Sequence, residues 1–315
     1  MSAPAPGAEP DDAPAGVSPG PAASALPDGW GALSKTGVLK DVLLGRPDHY
    51  RWHPTSAISK ATLANLATRG ISFDLDLAKR QHAAMVETYE AAGVRVHLLG
   101  ADRELPYGVF ARDSSVMTPW GPVICSLQPA VRRRDHTLAA RFYHDNGIPI
   151  WRWITAGYLE GGDVVVLEPG VVLIGYCEER SEKAGAEQLA GWFRDEGWET
   201  LVVAQPAHFV HMDATVLPAA SQLVVVCPDA LEDYVVDFLK AHRYAFVEVP
   251  YRDCVRLGCN IMPLGSERVL SLASNTALRE KLTALGIDVL TVDLSMFALG
   301  GGGVHCLSME LRREA

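Results

Sequence analysis

The chain has 315 residues, 48% of them hydrophobic and 21% charged, with a formal net charge of −10. That is enough apolar material for a packed core, a poor match to nucleic acid, and a fair one to a small cationic substrate. No apolar run approaches the roughly 18 residues of a membrane span, and no basic segment followed by an apolar one opens the chain, so a cytoplasmic protein without a secretory signal or membrane partner is expected. The six cysteines form no CxxC, and Cys254 and Cys259 have no histidine at zinc-finger spacing. A zinc site is therefore not expected, and in a reducing compartment reactive-thiol chemistry is permitted.

Residues 1 to 30 are Ala, Pro, Gly and Asp with almost no large apolar side chain, which predicts a disordered tail; residues 31–315 read as a single catalytic domain. Order is expected from Gly37 to Pro47, an alternating strand stopped by proline. Leu77 to Ala92 reads as a helix ended by Gly93, and Val94 to Leu99 as a strand. Phe110 to Met117 and Val123 to Leu127 read as extended segments around a Pro119–Pro122 turn, followed by a helix over Arg134 to Asn146. The cycle then recurs. Hairpins fall at 163–174, 215–227 and 260–272, and helices at Glu182–Glu196, Leu231–His242 and Thr276–Leu285. Each helix is followed by a strand (201–203, 245–249 and 289–292), and a last strand covers 304–311. Five helices at intervals of roughly 45 to 60 residues indicate an array of similar units. No GxGxxG follows any strand and no P-loop occurs, so no nucleotide cofactor is expected. The pattern favours a closed, pseudo-symmetric α/β domain in which each unit sends a loop to a shared centre.

Four short motifs carry the site candidates: Phe110-Ala-Arg-Asp113, Glu160-Gly-Gly-Asp163, His211-Met-Asp213 and Gly303-Val-His305-Cys306. Each is weak alone, and a cysteine in a terminal strand is ordinarily just a small buried hydrophobe. Together they supply a nucleophile, a base with its own carboxylate partner, and further carboxylates for a cation. Attack on a guanidinium carbon requires that set. Guanidinium is planar, cationic and a poor electrophile; carboxylates hold it by charge-assisted hydrogen bonds and fix its plane for a thiolate. The bound cation favours thiol ionisation, and a histidine protonates the leaving amine and then activates water. The four glycines before Val304 are expected to let backbone approach a ligand.

In order and spacing these motifs resemble those of the guanidine-modifying enzymes, which include arginine deiminase, dimethylarginine dimethylaminohydrolase, agmatine deiminase and the amidinotransferases. The resemblance covers about residues 37–313. It is closest to arginine deiminase, whose FTRD, EGGD and HLD are matched by the first three motifs; Gly258-Cys259-Asn260 and the glycine run into Cys306-Leu-Ser-Met also have counterparts there. The resemblance implies a pentein-type pseudo-fivefold ββαβ propeller and no cofactor or metal. It implies Cys306 as nucleophile, His211 as general acid and base, Glu160 orienting His211, and Asp113 and Asp213 gripping the guanidinium. Asp163 is either a supporting group or a substrate contact. Arg180 and Arg133 match arginines that bind the substrate carboxylate, although Arg132 and Arg134 flank the second and leave its register open. Tyr107 stands where arginine deiminase has an asparagine for the amino-acid end, and Val304-His305 where it has Pro-Arg; both Tyr107 and His305 are expected at the substrate.

The resulting expectation is a cysteine-dependent hydrolase that turns a small-molecule guanidine into a ureido product through a thiouronium intermediate, with L-arginine itself not the best substrate. An amidinotransferase is the alternative, favoured by His305 and Arg312-Arg313 and disfavoured by the Glu160-Gly-Gly-Asp163 glycine pair. A silent binding protein of the same fold is a third reading, opposed by the intact Cys, His and carboxylate set. A homodimer is left open.

Overall fold

The computed structural model describes residues 29–54 and 57–314; the tail expected over 1–30 lies almost wholly outside the described residues. In chain order the strands are β1 (Val38–Leu44), β2 (Arg95–Leu98), β3 (Ser115–Thr118), β4 (Gly121–Ile124), β5 (Arg152–Trp153), β6 (Val164–Glu168), β7 (Val171–Tyr176) and β8 (Glu199–Ala204). They continue as β9 (Val216–Ala220), β10 (Leu223–Val226), β11 (Ala245–Glu248), β12 (Ile261–Gly265), β13 (Arg268–Leu272), β14 (Asp288–Val292) and β15 (Ser308–Glu314). They form five three-stranded sheets. In four of them an antiparallel hairpin is followed by a helix and a third strand parallel to the second: β3-β4-β5, β6-β7-β8, β9-β10-β11 and β12-β13-β14. The fifth is closed by the chain ends, with β15 antiparallel and β2 parallel to β1. This is a pseudo-fivefold ββαβ propeller.

The sequence explains the layering. Hairpin strands such as β6, with Val-Val-Val-Leu, and β10, with Leu-Val-Val-Val, are continuous apolar runs and almost entirely buried. Strands covered on both faces need no polar alternation. The third strands face solvent along part of their length, as in β2 and β11. The helices Leu75–Ala91, His136–Asp145, Lys183–Asp195, Asp233–Ala241 and Thr276–Ala284 cover the outside. The first buries Ala78, Gln81, His82, Met85 and Tyr89, a single helical stripe, and starts two residues earlier than expected because Asp74 caps it by accepting from Leu77 N at 2.9 Å.

Three local expectations need correction. Cys306 is not on a strand: Val304–Leu307 is one helical turn, and β15 begins at Ser308. The extended stretch expected over Phe110 to Met117 is likewise broken by a turn at Ala111–Ser114. A helix at Ala57–Thr68 was not expected at all; among its described side chains only Leu66 is buried, so no apolar stripe marks it. β5 was also missed, being two exposed residues long.

Arg313 stitches the ring where the chain ends meet. It lies on β15, donates from Nη1 to Gly37 O at 2.8 Å just before β1, and from Nη2 to Pro263 O on β12 at 2.9 Å. Two sheets and the entry to β1 are thereby tied through one buried guanidinium. Arg313→Ala should lower unfolding free energy by about 2–4 kcal/mol, since both carbonyls lose a charged donor, whereas Arg194→Ala at an exposed ion pair should stay within about 0.5 kcal/mol. Urea unfolding of both variants checks this; equal, small effects would show that Arg313 does not hold the closure.

Candidate active site

β3, β6, β9, β12 and β15 are the axial edges of their sheets, and each motif lies where the chain enters one of them. Asp113 is in the turn before β3, Asp163 before β6 and Asp213 before β9; Asn260 precedes β12, and Cys306 sits in the turn before β15. Pseudo-symmetry thus converges five sequence-distant segments. Close approach sets their composition. A Cβ on Gly162 would lie 2.6 Å from His211 Nδ1, and one on Gly303 would lie 2.4 Å from Asn260 Oδ1. The glycine run admits neighbouring side chains as much as a ligand: Gly302 packs under Phe110 and Gly300 under Tyr50.

One side of the site is a charge network. His211 Nε2 meets Glu160 Oε2 at 2.9 Å, and His211 Nδ1 is 3.6 Å from Asp113 Oδ1. Arg180 forks onto Glu160, Nε to Oε1 at 2.9 Å and Nη2 to Oε2 at 2.5 Å. Arg132 donates to Asp113 Oδ2 at 2.7 Å and to Asp135 Oδ2 at 2.8 Å. Burial opposes a charged imidazole, but the carboxylates of Asp113, Glu160 and Asp163 outweigh it and raise His211 to about 9. Glu160 is held well below the usual carboxylate range: burial pushes it up, and Arg180, His211 and Arg132 more than reverse that. Asp163 lies beneath, bound by Ser181 Oγ at 2.5 Å, Gln205 Nε2 at 3.0 Å and Met212 N at 2.9 Å. It fixes the loop that carries His211.

The other side holds the thiol. Asn260 Nδ2 donates to Cys306 Sγ at 3.3 Å while its Oδ1 accepts from His305 N at 3.0 Å. His305 Nδ1 meets Asp213 Oδ2 at 2.6 Å. Burial, then the charges of Asp213 and Asp113, push the Cys306 thiol well above its ordinary range. Burial and the neighbouring Asp113 and Asp163 raise Asp213 to about 7, although His211 and Arg112 pull the other way.

Cys306, Asp113, Asp213, His211, Arg132, Arg180 and Tyr107 all line one cavity of about 1030 Å³, to which the Ala57–Thr68 helix adds Ser59, Thr62 and Leu63. Asp113 Oδ1 and Arg132 Nη2 are buried in its wall without a hydrogen-bond partner, an acceptor and a donor left for a ligand.

Other expected residues are placed differently. Arg133 is exposed, donates to Gln128 O at 3.2 Å and leaves the cavity to Arg132; the chain turns at Ala130–Arg132, so of the three consecutive arginines only Arg132 faces inward. Glu160, Asp163 and His305 are fully buried behind the wall rather than on it. Arg180 reaches the cavity, but its fork is engaged by Glu160. The Tyr107 hydroxyl is held by the backbone of His53, donating to O at 2.5 Å and accepting from N at 2.9 Å, so it offers a ring face, not a hydroxyl. Asn260 had been noted only as part of a motif; its role as partner of the thiol has no signal in the sequence beyond that adjacency. Asp113, Glu160 and His211 are also compact enough, among the described residues, to hold a metal ion. His211, raised to about 9, is protonated at neutral pH and offers no lone pair, so the set fits a metal poorly.

The chain and its fold are similar to known proteins. The model of the eukaryotic N,N dimethylarginine dimethylhydrolase family fits residues 46–313. An uncharacterized protein of Bacillus subtilis is 26% identical over 279 residues, 88% of this chain and 93% of that one. The arginine deiminase of Mycobacterium marinum is 28% identical over 295 residues, 80% of this chain and 71% of the other. Among solved structures, the dimethylarginine dimethylaminohydrolase of Pseudomonas aeruginosa complexed with citrulline superimposes with a TM-score of 0.71 at 21% identity, covering 86% and 99% of the two chains. The N-terminal domain of a cyanobacterial arginine dihydrolase does so with 0.75 at 19% identity, covering 87% and 98%. With its propeller closed around a cysteine, a histidine and paired carboxylates, and with the family model matched over most of its length, the chain belongs to the dimethylarginine dimethylhydrolase family of guanidine-modifying enzymes.

Proposed function

We propose that the protein hydrolyses a substituted guanidine, through a covalent adduct on Cys306, to a ureido product and an amine. One observation carries the reading: Cys306 opens into the same cavity as two carboxylates, Asp113 and Asp213, whose negative charge alone would make it a poor nucleophile. A guanidinium between them reverses that field. Its N–H groups satisfy the unpaired Asp113 Oδ1 and the Asp213 carboxylate, its plane is fixed, and its charge favours loss of the thiol proton to solvent. The thiolate then forms an S–C bond at the central carbon. The C–N bond to the leaving amine breaks as His211, protonated at neutral pH, gives its Nδ1 proton to that nitrogen, leaving a thiouronium. His211, now neutral, takes a proton from water as the oxygen adds to carbon, and the C–S bond breaks to release product and restore the thiolate. Glu160 holds the imidazole through its Nε2–H.

The features that had favoured an amidinotransferase have other employment. His305 is buried against Asp213, Arg312 pairs with Asp41 at 2.7 Å, and Arg313 closes the ring. Water as the acceptor is the simpler reading. The tail-binding end differs from an amide-lined one: Tyr107 stacks on Phe110, lies 5.6 Å beneath the Arg132 guanidinium, and presents an apolar face. This supports an N-substituted or differently tailed guanidine with an anionic or carbonyl group near Arg132, in place of plain L-arginine.

Three outcomes are expected. Cys306→Ser should fold normally and lose at least about a thousandfold in kcat, and acid-quenched wild type should show a mass increase on Cys306 during turnover; a near-normal rate in the variant would make the cysteine structural. The kcat/KM profile should rise with pH as Asp213 ionises near 7 and fall as His211 deprotonates near 9; the sign follows because Asp213 must be anionic and His211 cationic to act. A flat profile from pH 6 to 10 would contradict both roles. Finally, across a panel of guanidines without added amine, N-methylated or otherwise substituted compounds should exceed L-arginine in kcat/KM; L-arginine ranking first would remove the Tyr107 argument.

A further inference from the structure

His305 has no place in the chemistry just described, yet it is the best-connected neighbour of a residue that does. It is fully buried and does not reach the cavity, so it cannot touch substrate. Its backbone N–H is fixed by Asn260, the same side chain that holds the Cys306 sulfur. Its ring has two different ends. Nδ1 meets Asp213 Oδ2 at 2.6 Å, while Nε2 is buried with no partner.

That asymmetry fixes the protonation of the pair. A proton on Nε2 would be an orphaned buried donor, an unfavourable arrangement. An imidazolium would meet the cations Arg112, Lys35 and Arg313 against the carboxylates of Glu310 and Asp213; burial first, then Arg112 and Lys35, hold His305 well below its ordinary range. The arrangement that leaves nothing unsatisfied is a neutral ring with the proton on Nδ1, donated to an ionised Asp213. Asp213 itself is faced by His211 and Arg112, which favour its charge, and by Asp113 and Asp163, which oppose it. A single donor at Oδ2 weighs heavily in such a balance.

Resting on the hydrolase reading above, we propose that His305 is a positioning residue. Its Nδ1–H ties one oxygen of Asp213 and favours the anionic form of that carboxylate, leaving the other oxygen for the guanidinium. Because His305 precedes the nucleophile in one helical turn and shares Asn260 with it, the same link sets the Asp213 carboxylate relative to Cys306.

The test compares His305→Leu with His305→Asn, whose side-chain N–H can replace Nδ1–H. With the guanidine that wild type turns over fastest, His305→Leu should raise KM by about tenfold or more, a charged hydrogen bond's worth, with a smaller change in kcat. The acid limb of its kcat/KM profile should move up by about one pH unit. His305→Asn should recover most of both. An active wild type whose KM and acid limb are unchanged in His305→Leu would overturn this role and leave the hydrolase reading standing; no turnover of any guanidine by wild type would overturn the hydrolase reading instead. Should His305→Leu fail to fold, nitrogen-15 spectra of histidine-labelled wild type decide the matter, the His305 signals being assigned by their loss in His305→Asn. A neutral Nδ1–H ring is expected at pH 8, above the ionisation of Asp213, and an Nε2–H tautomer or an imidazolium there would contradict the proposal.

Discussion

Asp113, Glu160, Asp163 and Asp213 are brought within one small volume almost out of contact with water, and the repulsion among those four carboxylates is the constraint to which the rest of the site responds. Each has a different answer. Glu160 is forked by Arg180 and capped by His211; Asp113 leans on Arg132; Asp163 accepts only neutral donors; Asp213 depends on His305. Two of them, Asp113 and Asp213, are left under-compensated, and these are the two that line the cavity. A cation of the right shape completes the charge balance. Burial first, and then the same deficit, raise the Cys306 thiol well above its ordinary range.

Behind this wall lies a second set of buried charges that the chemistry does not touch. Glu310, on the strand leaving Cys306, pairs with both Lys35 and Arg112 and is held far below the usual carboxylate range, burial being outweighed by those two cations. Burial, aided by Arg112, lowers Lys35 to about 7. Arg112 adjoins Asp113 in the chain and acts on Asp213 through space, so this inner layer favours ionisation of Asp213. It also ties the N-terminal segment, the β3 entry and the closing strand together, so the closure of the ring and the electrostatics of the site share residues.

Much of this was legible in the sequence. The apolar doublets β6-β7, β9-β10 and β12-β13, each followed by an amphipathic helix, gave away the repeat because strands buried on both faces write a continuous apolar run. The motifs announced themselves because charged residues and glycines are conspicuous at the entry to such runs. What failed did so for physical reasons. The Ala57–Thr68 helix buries one of its described side chains and so shows no periodicity. The turn at Val304–Leu307 reads as a strand because four of four residues are buried and apolar or neutral. Three consecutive arginines cannot be told apart without the turn that aims Arg132 inward. His305 looked like a substrate ligand because adjacency to the nucleophile in sequence is not adjacency to the cavity.

The central claim is that a guanidinium completes an under-compensated pair of carboxylates, and proton linkage measures it most directly. In Cys306→Ser protein at pH 6.5, the heat of binding the guanidine that wild type turns over fastest, titrated calorimetrically in buffers of different ionisation enthalpy, reports the protons exchanged. Asp213 sits near 7 in the empty site and is anionic beside the cation, so the account predicts net proton release on binding, shrinking as the pH is raised toward 9. Binding with no proton exchange, or with uptake, would contradict it.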